Sequence, residues 1–189
     1  MPLSRRIASW LEIALWTIGV SALFVVGYAW SDAREAQLHG AQELQELMLS
    51  PTEQPVDLHE GSLVGQVEVE RLHLSAVIFE GTGARTLDRG VGHLTSSAQP
   101  NADGNVVLAA HRDTFFRPLR DIRAGDAITV TTPQGERRYR VRSTEIVYPT
   151  DVSVIRPTTD ETLTLITCYP FSYVGAAPQR FIVHADPAQ

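Results

Sequence analysis

The chain has 189 residues, 43% of them hydrophobic, and a net charge of -6, enough for one sizeable core and hardly two once a membrane segment is subtracted. The acidic balance and the lack of any long basic run argue against a nucleic-acid partner held by phosphate contacts, and that all sixteen basic residues are arginine reads as a codon-composition effect. Cysteine occurs once, at Cys168, which excludes an intrachain disulfide and a cysteine-based zinc site.

From Ile13 to Trp30 the sequence IALWTIGVSALFVVGYAW carries no charge, and Ile7 to Leu11 extend the apolar run, so residues 7–30 are expected to form a membrane-spanning helix. Arg5 and Arg6 precede it, and Asp32, Arg34 and Glu35 follow. The positive-inside bias therefore places residues 1–6 in the cytoplasm and the rest of the chain outside the plasma (inner) membrane, as a single-pass protein. Trp10 and Trp30 mark the two interfaces, and Glu12 is tolerable at headgroup level. The segment SDA at 31–33 would suit signal cleavage, but the apolar stretch exceeds an ordinary signal core, which favours an uncleaved anchor.

Residues 31–62 read as stalk and linker. Leu38, Leu44, Leu47 and Met48 recur at roughly helical spacing, and Pro51 and Pro55 end the pattern. The stripe is narrow, so a flexible spacer is an equal alternative. Residues 63–189 form the globular domain, where short runs such as VGQVEVE, HLSAVIFEG, NVVLAAH, DAITVTT, TLTLITC and RFIVHA are separated by Gly, Pro and Asn. Seven or eight such strands without a long amphipathic helix imply a mainly β sandwich or small barrel. Only GARTLDRG and FFRPLRDI suggest single helical turns. A hairpin is expected around Gly135, with Tyr139, Val141 and Thr144 alternating against Arg138, Arg140 and Arg142.

Cys168 ends a strand-like run, TLITC, just before a Tyr-Pro-Phe turn. An unperturbed thiol is only a few per cent ionised at neutral pH, so a nucleophilic role needs a base and a group to hold developing negative charge. His111 leaves the apolar run NVVLAA, where a buried strand must emerge. Arg180 opens RFIVHA, joined to the Cys168 strand by so short a connection that the two should pair, facing Arg180 across from Cys168. His93, flanked by glycine in RGVGHL, is a rival for the base. His39, His59, His73 and His184 need only solvated or packing roles, and a buried, inert Cys168 is the bland alternative.

These residues resemble the sortase family of membrane-anchored cysteine transpeptidases. TLITC is similar to the family's Thr-Leu-x-Thr-Cys signature. GNVVLAAHRDTFFRPLRDIRAGDAITV resembles its histidine segment, with Phe116, Leu119, Gly125 and Asp126 at the family's spacing, and APQRFIVHA resembles its arginine strand. The short connection TCYPFSYVGAAPQRFIV is most similar to class D-type enzymes. The chain departs from the family at Ala110, where many members carry glycine, and at SSAQPNAD, which replaces a more usual Pro-Gly pattern.

The resemblance implies an eight-stranded β-barrel with short helical turns. It further implies that Cys168 attacks a Leu-Pro-x-Thr-Gly-like sorting signal of secreted proteins, that His111 is acid and base, and that Arg180 steadies the oxyanion. Thr167 and Tyr169 would support substrate or oxyanion, and Tyr169, Phe171 and Tyr173 would line an apolar groove. No cofactor or metal is expected. The acceptor would be an amine of the cell envelope or of another protein. A thiol hydrolase with the same residues, or a membrane-tethered binding module, are the competing readings; the Ser-His-Gly-Cys motif of peptidoglycan-crosslinking transpeptidases is missing from the sequence.

Overall fold

A computed structural model describes residues 2–49, 58–173 and 175–188, with side chains from Ser9 onward. The helix α1 (Pro2–Leu49) runs unbroken for 48 residues, about 72 Å at 1.5 Å per residue. Among the described residues it is the one helix long and apolar enough to cross a membrane, and its apolar side chains from Trp10 to Trp30 are exposed. The expected terminators Pro51 and Pro55 lie outside the described residues.

Eight strands follow: β1 (Leu63–Val69), β2 (Leu74–Glu80), β3 (Val91–His93), β4 (Asn105–Ala109), β5 (Ala127–Thr132), β6 (Gly135–Val147), β7 (Thr162–Tyr169) and β8 (Gln179–Pro187). They close into a barrel in the order β1-β2-β3-β4-β7-β8-β6-β5, as the resemblance implied. Closure leaves no unpaired sheet edge. Inward residues such as Val67, Ile78, Val106, Leu108, Leu163, Leu165 and Val183 form the core. The two single-turn segments are α2 (Ala84–Arg89) and a 3-10 turn at Arg117–Asp121.

The β5–β6 hairpin turns through Pro133 and Gln134, with Thr132 paired to Gly135, whose φ of 138° favours glycine. Tyr139 and Val141 point inward as alternation requires, whereas Thr144 is exposed. Thr144 has the parity of Arg138, Arg140 and Arg142, and the β6–β8 register shifts between Val141 and Ser143.

The strand β2 is buried on both faces, since Val77 and Phe79 pack with Ala36 of α1. The polar third of α1 is therefore a docked helix. Its buried stripe is Ala36, Gly40 and Leu44, while Leu38 and Met48 are exposed. Small residues are needed for so close an approach: a Cβ at Gly40 would stand 2.7 Å from Val77 Cγ1.

Candidate active site

The strands β4 and β7 run parallel, pairing Asn105 with Thr162 through Ala109 with Ile166. The same offset of 57 positions continues past the end of β4, where the Thr167 hydroxyl donates to the Ala110 carbonyl at 2.7 Å and the Ala110 amide donates to Ile166. His111 and Cys168 are the residues that follow that bonded pair on the two segments. On the other flank, antiparallel β8 pairs Arg180 directly with Cys168, as the short connection between the two strands predicted. Arg180 thus faces Cys168 across neighbouring strands, whose backbones are roughly 5 Å apart, and His111 leaves the strand on the other side of β7.

The segments that carry these residues are held from behind. The His111 carbonyl accepts the Phe116 amide at 3.1 Å, and Phe116 and Leu119 are fully buried, so the loop after His111 is plugged into the barrel end. Arg112, 5% exposed, donates to the carbonyls of Pro170 at 2.9 Å and Gly175 at 3.0 Å. It therefore ties the histidine loop to the connection between the cysteine and arginine strands. The Arg180 guanidinium donates to the Ala177 and Gln179 carbonyls. The His111 Nε2 lies 3.3 Å from Asp88 Oδ1 of α2.

Cys168 is partly exposed, so the thiol has an approach route. On β7, Leu163, Leu165 and Thr167 face the core, and alternation turns Ile166 and Cys168 outward. Outside Ile166 lies a cavity of about 230 Å³ floored by Val107, Ala109, Ile166 and Ile182, flanked by Val147 and Arg180, and roofed by the β6–β7 loop at Tyr148–Ile155. That loop is pinned at Asp151, whose carboxylate accepts both the Ser153 hydroxyl, at 2.6 Å, and its amide, at 3.0 Å. The hydroxyl bond, then the amide bond, hold the Asp151 carboxyl below its ordinary pKa.

Tyr169 and Phe171 form a cluster with Phe181, at centroid separations of 5.3 to 6.3 Å, and Tyr173 lies over Arg112. The cavity outside Ile166 is lined mainly by aliphatic side chains. Thr167 is buried and spends its hydroxyl on Ala110, which makes it a brace between strands. The rival His93 is fully buried, with Nδ1 2.8 Å from Glu80 and Nε2 within reach of the Ala98 carbonyl and the Ser97 hydroxyl. Nδ1 thus ties β3 to the end of β2, and Nε2 fastens the β3–β4 loop. Among the described residues no cluster of His, Cys, Asp and Glu is arranged to hold a metal ion.

A closed barrel with a partly exposed cysteine paired to an arginine defines the fold and the candidate site. Residues 67–188 match the Sortase domain family model, and the chain belongs to the sortase family. A Sortase D of Bacillus subtilis (strain 168) is 41% identical over 125 residues, covering 66% of this chain and 63% of that protein. The chain thus spans a little under two thirds of that relative's length. Among solved structures, a Sortase D5 transpeptidase of Clostridium perfringens aligns with a TM-score of 0.70 at 24% identity, over 84% of this chain and 99% of the other. A Clostridium perfringens sortase C with the C-terminal cell wall sorting motif aligns at 0.65 and 22%, over 84% and 89%. These two likenesses bear on the fold.

Proposed function

We propose that the chain is a membrane-anchored cysteine transpeptidase that cleaves a Leu-Pro-x-Thr-Gly-like sorting signal of secreted proteins and joins the acyl part to an amine. The observation that carries this reading is the pairing of Cys168 with Arg180 across β7 and β8, with His111 following the β4 segment that is bonded to Thr167. The Cys168 thiolate attacks the threonine carbonyl carbon, and the oxyanion that forms is steadied by the Arg180 guanidinium, which is permanently charged. The carbon–nitrogen bond breaks as His111 gives its proton to the departing glycine amine, leaving a thioester. An incoming amine then attacks the thioester, His111 takes its proton, and the Cys168 thiolate departs.

The cavity outside Ile166, which Arg180 also lines, suits the Leu-Pro part of the acyl segment, since apolar clefts with a few fixed polar groups are the usual form of ligand sites. Residues 7–30 are the span, residues 1–6 stay cytoplasmic, residues 31–62 are stalk and linker, and residues 63–189 act outside the membrane on exported substrates. The acceptor is an amine of the cell envelope or of another protein.

The test uses the full chain in detergent with a sorting-signal peptide and an added amine. Wild type forms the transfer product, while Cys168→Ala, His111→Ala and Arg180→Ala each lose it. Release of free acid alone, whatever the amine concentration, would make the protein a hydrolase and sink the transfer step.

A further inference from the structure

We infer that Asp88 is a positioning residue for the His111 imidazole, and that the polar third of α1 holds Asp88 in place through Gln37. This deepens the proposed acid–base role of His111 and rests on it. Asp88 is the penultimate residue of α2, a helix of six residues, too short to hold its own shape. Its C-terminal end is fixed from outside. The Gln37 side-chain amide donates to the Arg89 carbonyl at 2.8 Å, while its oxygen accepts the Val77 amide at 2.8 Å. The Arg89 guanidinium stands 3.6 Å from Asp32 and over the Phe79 ring.

The Val77 amide lies one residue before β2 begins to pair with β3, so Gln37 substitutes for a missing strand partner and clasps β2 to α2. Burial of Ala36 and Leu44, with Gly40 against Val77, sets the rotation of α1 that aims Gln37 at this point. The stalk helix therefore reaches the site through two contacts, Gln37 to Arg89 and Asp88 to His111.

A carboxylate only accepts, so Asp88 keeps a proton on His111 Nε2 and leaves Nδ1 as the ring nitrogen that serves the reacting groups. The 3.3 Å separation is longer than a good hydrogen bond, a common condition of catalytic contacts before substrate tightens them. Both side chains face solvent, so the pair is energetically modest and its contribution is orientation.

The experiment measures kcat and KM for peptide transfer by the full chain in detergent. Asp88→Asn is expected to lower kcat about threefold to fivefold with KM unchanged, and Asp88→Glu to restore most of it. Gln37→Ala should lower kcat to a similar degree, and the double variant should lose no more than either alone, because both remove one constraint. If His111→Ala is inactive while Asp88→Asn and Gln37→Ala keep wild-type kcat, or lose only melting temperature, the positioning role is overturned. Activity retained by His111→Ala would instead overturn the acid–base role itself.

Discussion

Replacing Thr167 by valine keeps the side-chain shape and removes one hydroxyl. Thr167 is 2% exposed, and its hydroxyl donates to the carbonyl of Ala110, itself 5% exposed. The net worth of such a bond is about 0.5–1.5 kcal/mol, and stranding the buried acceptor raises the loss to about 1–3 kcal/mol. We therefore expect Thr167→Val to lose about 1–2 kcal/mol and roughly 3–8 °C in melting temperature. Thr167→Ser keeps the bond and gives up one methyl, worth about 1 kcal/mol. Activity separates the two more sharply than stability. The bond joins the residues just before His111 and Cys168, so valine should lower kcat in the peptide-transfer assay while serine leaves it near wild type. Equal kcat for the two variants, with valine melting beside wild type, would refute the bracing role.

Arg112→Met keeps an apolar stem and deletes both bonds to Pro170 and Gly175; we expect a loss of about 2 kcal/mol and faster proteolytic nicking of the β7–β8 connection. Gly40→Leu should lift α1 from β2, read as faster amide exchange at Val77, which Gln37 covers. The Asp126 carboxyl is held below its ordinary pKa of 3.8, chiefly by its hydrogen bond with Arg71. A depressed carboxyl stabilises fully above its unfolded pKa, and the contribution is lost as pH falls through the lower folded value. Chemical denaturation should therefore show Asp126→Asn less stable than wild type at pH 6, with the gap closing as pH falls below about 4.

The barrel and the pairing of Cys168 with Arg180 were legible because both rest on strong local signals. Short apolar runs punctuated by glycine and proline announce strands, and a connection as short as that between Cys168 and Arg180 forces those strands to pair. His111 was legible from the abrupt end of NVVLAA. The stalk contact was not, because the residues that approach β2 are Ala36 and Gly40, whose smallness permits the contact yet adds nothing to a hydrophobic stripe. The doubly buried β2 held a clue: AVIF does not alternate, as a strand covered on both faces should not. Asp88 gave no signal either, since a carboxylate in a one-turn helix reads as solvated charge until a distant loop sets a histidine beside it. The packing of Tyr169 and Phe171 on Phe181 was hidden for a related reason. Sequence marks them as apolar but does not say whether rings pack on each other or on a ligand.

The strand β8, last of the eight to be synthesised, inserts between β7 and β6 and brings Arg180 with it. Sealing the wall and setting Arg180 opposite Cys168 are thus a single event. A nascent chain stopped short of Gln179 would carry the thiol on an open sheet with no guanidinium opposite, and its unpaired strand edges would invite aggregation.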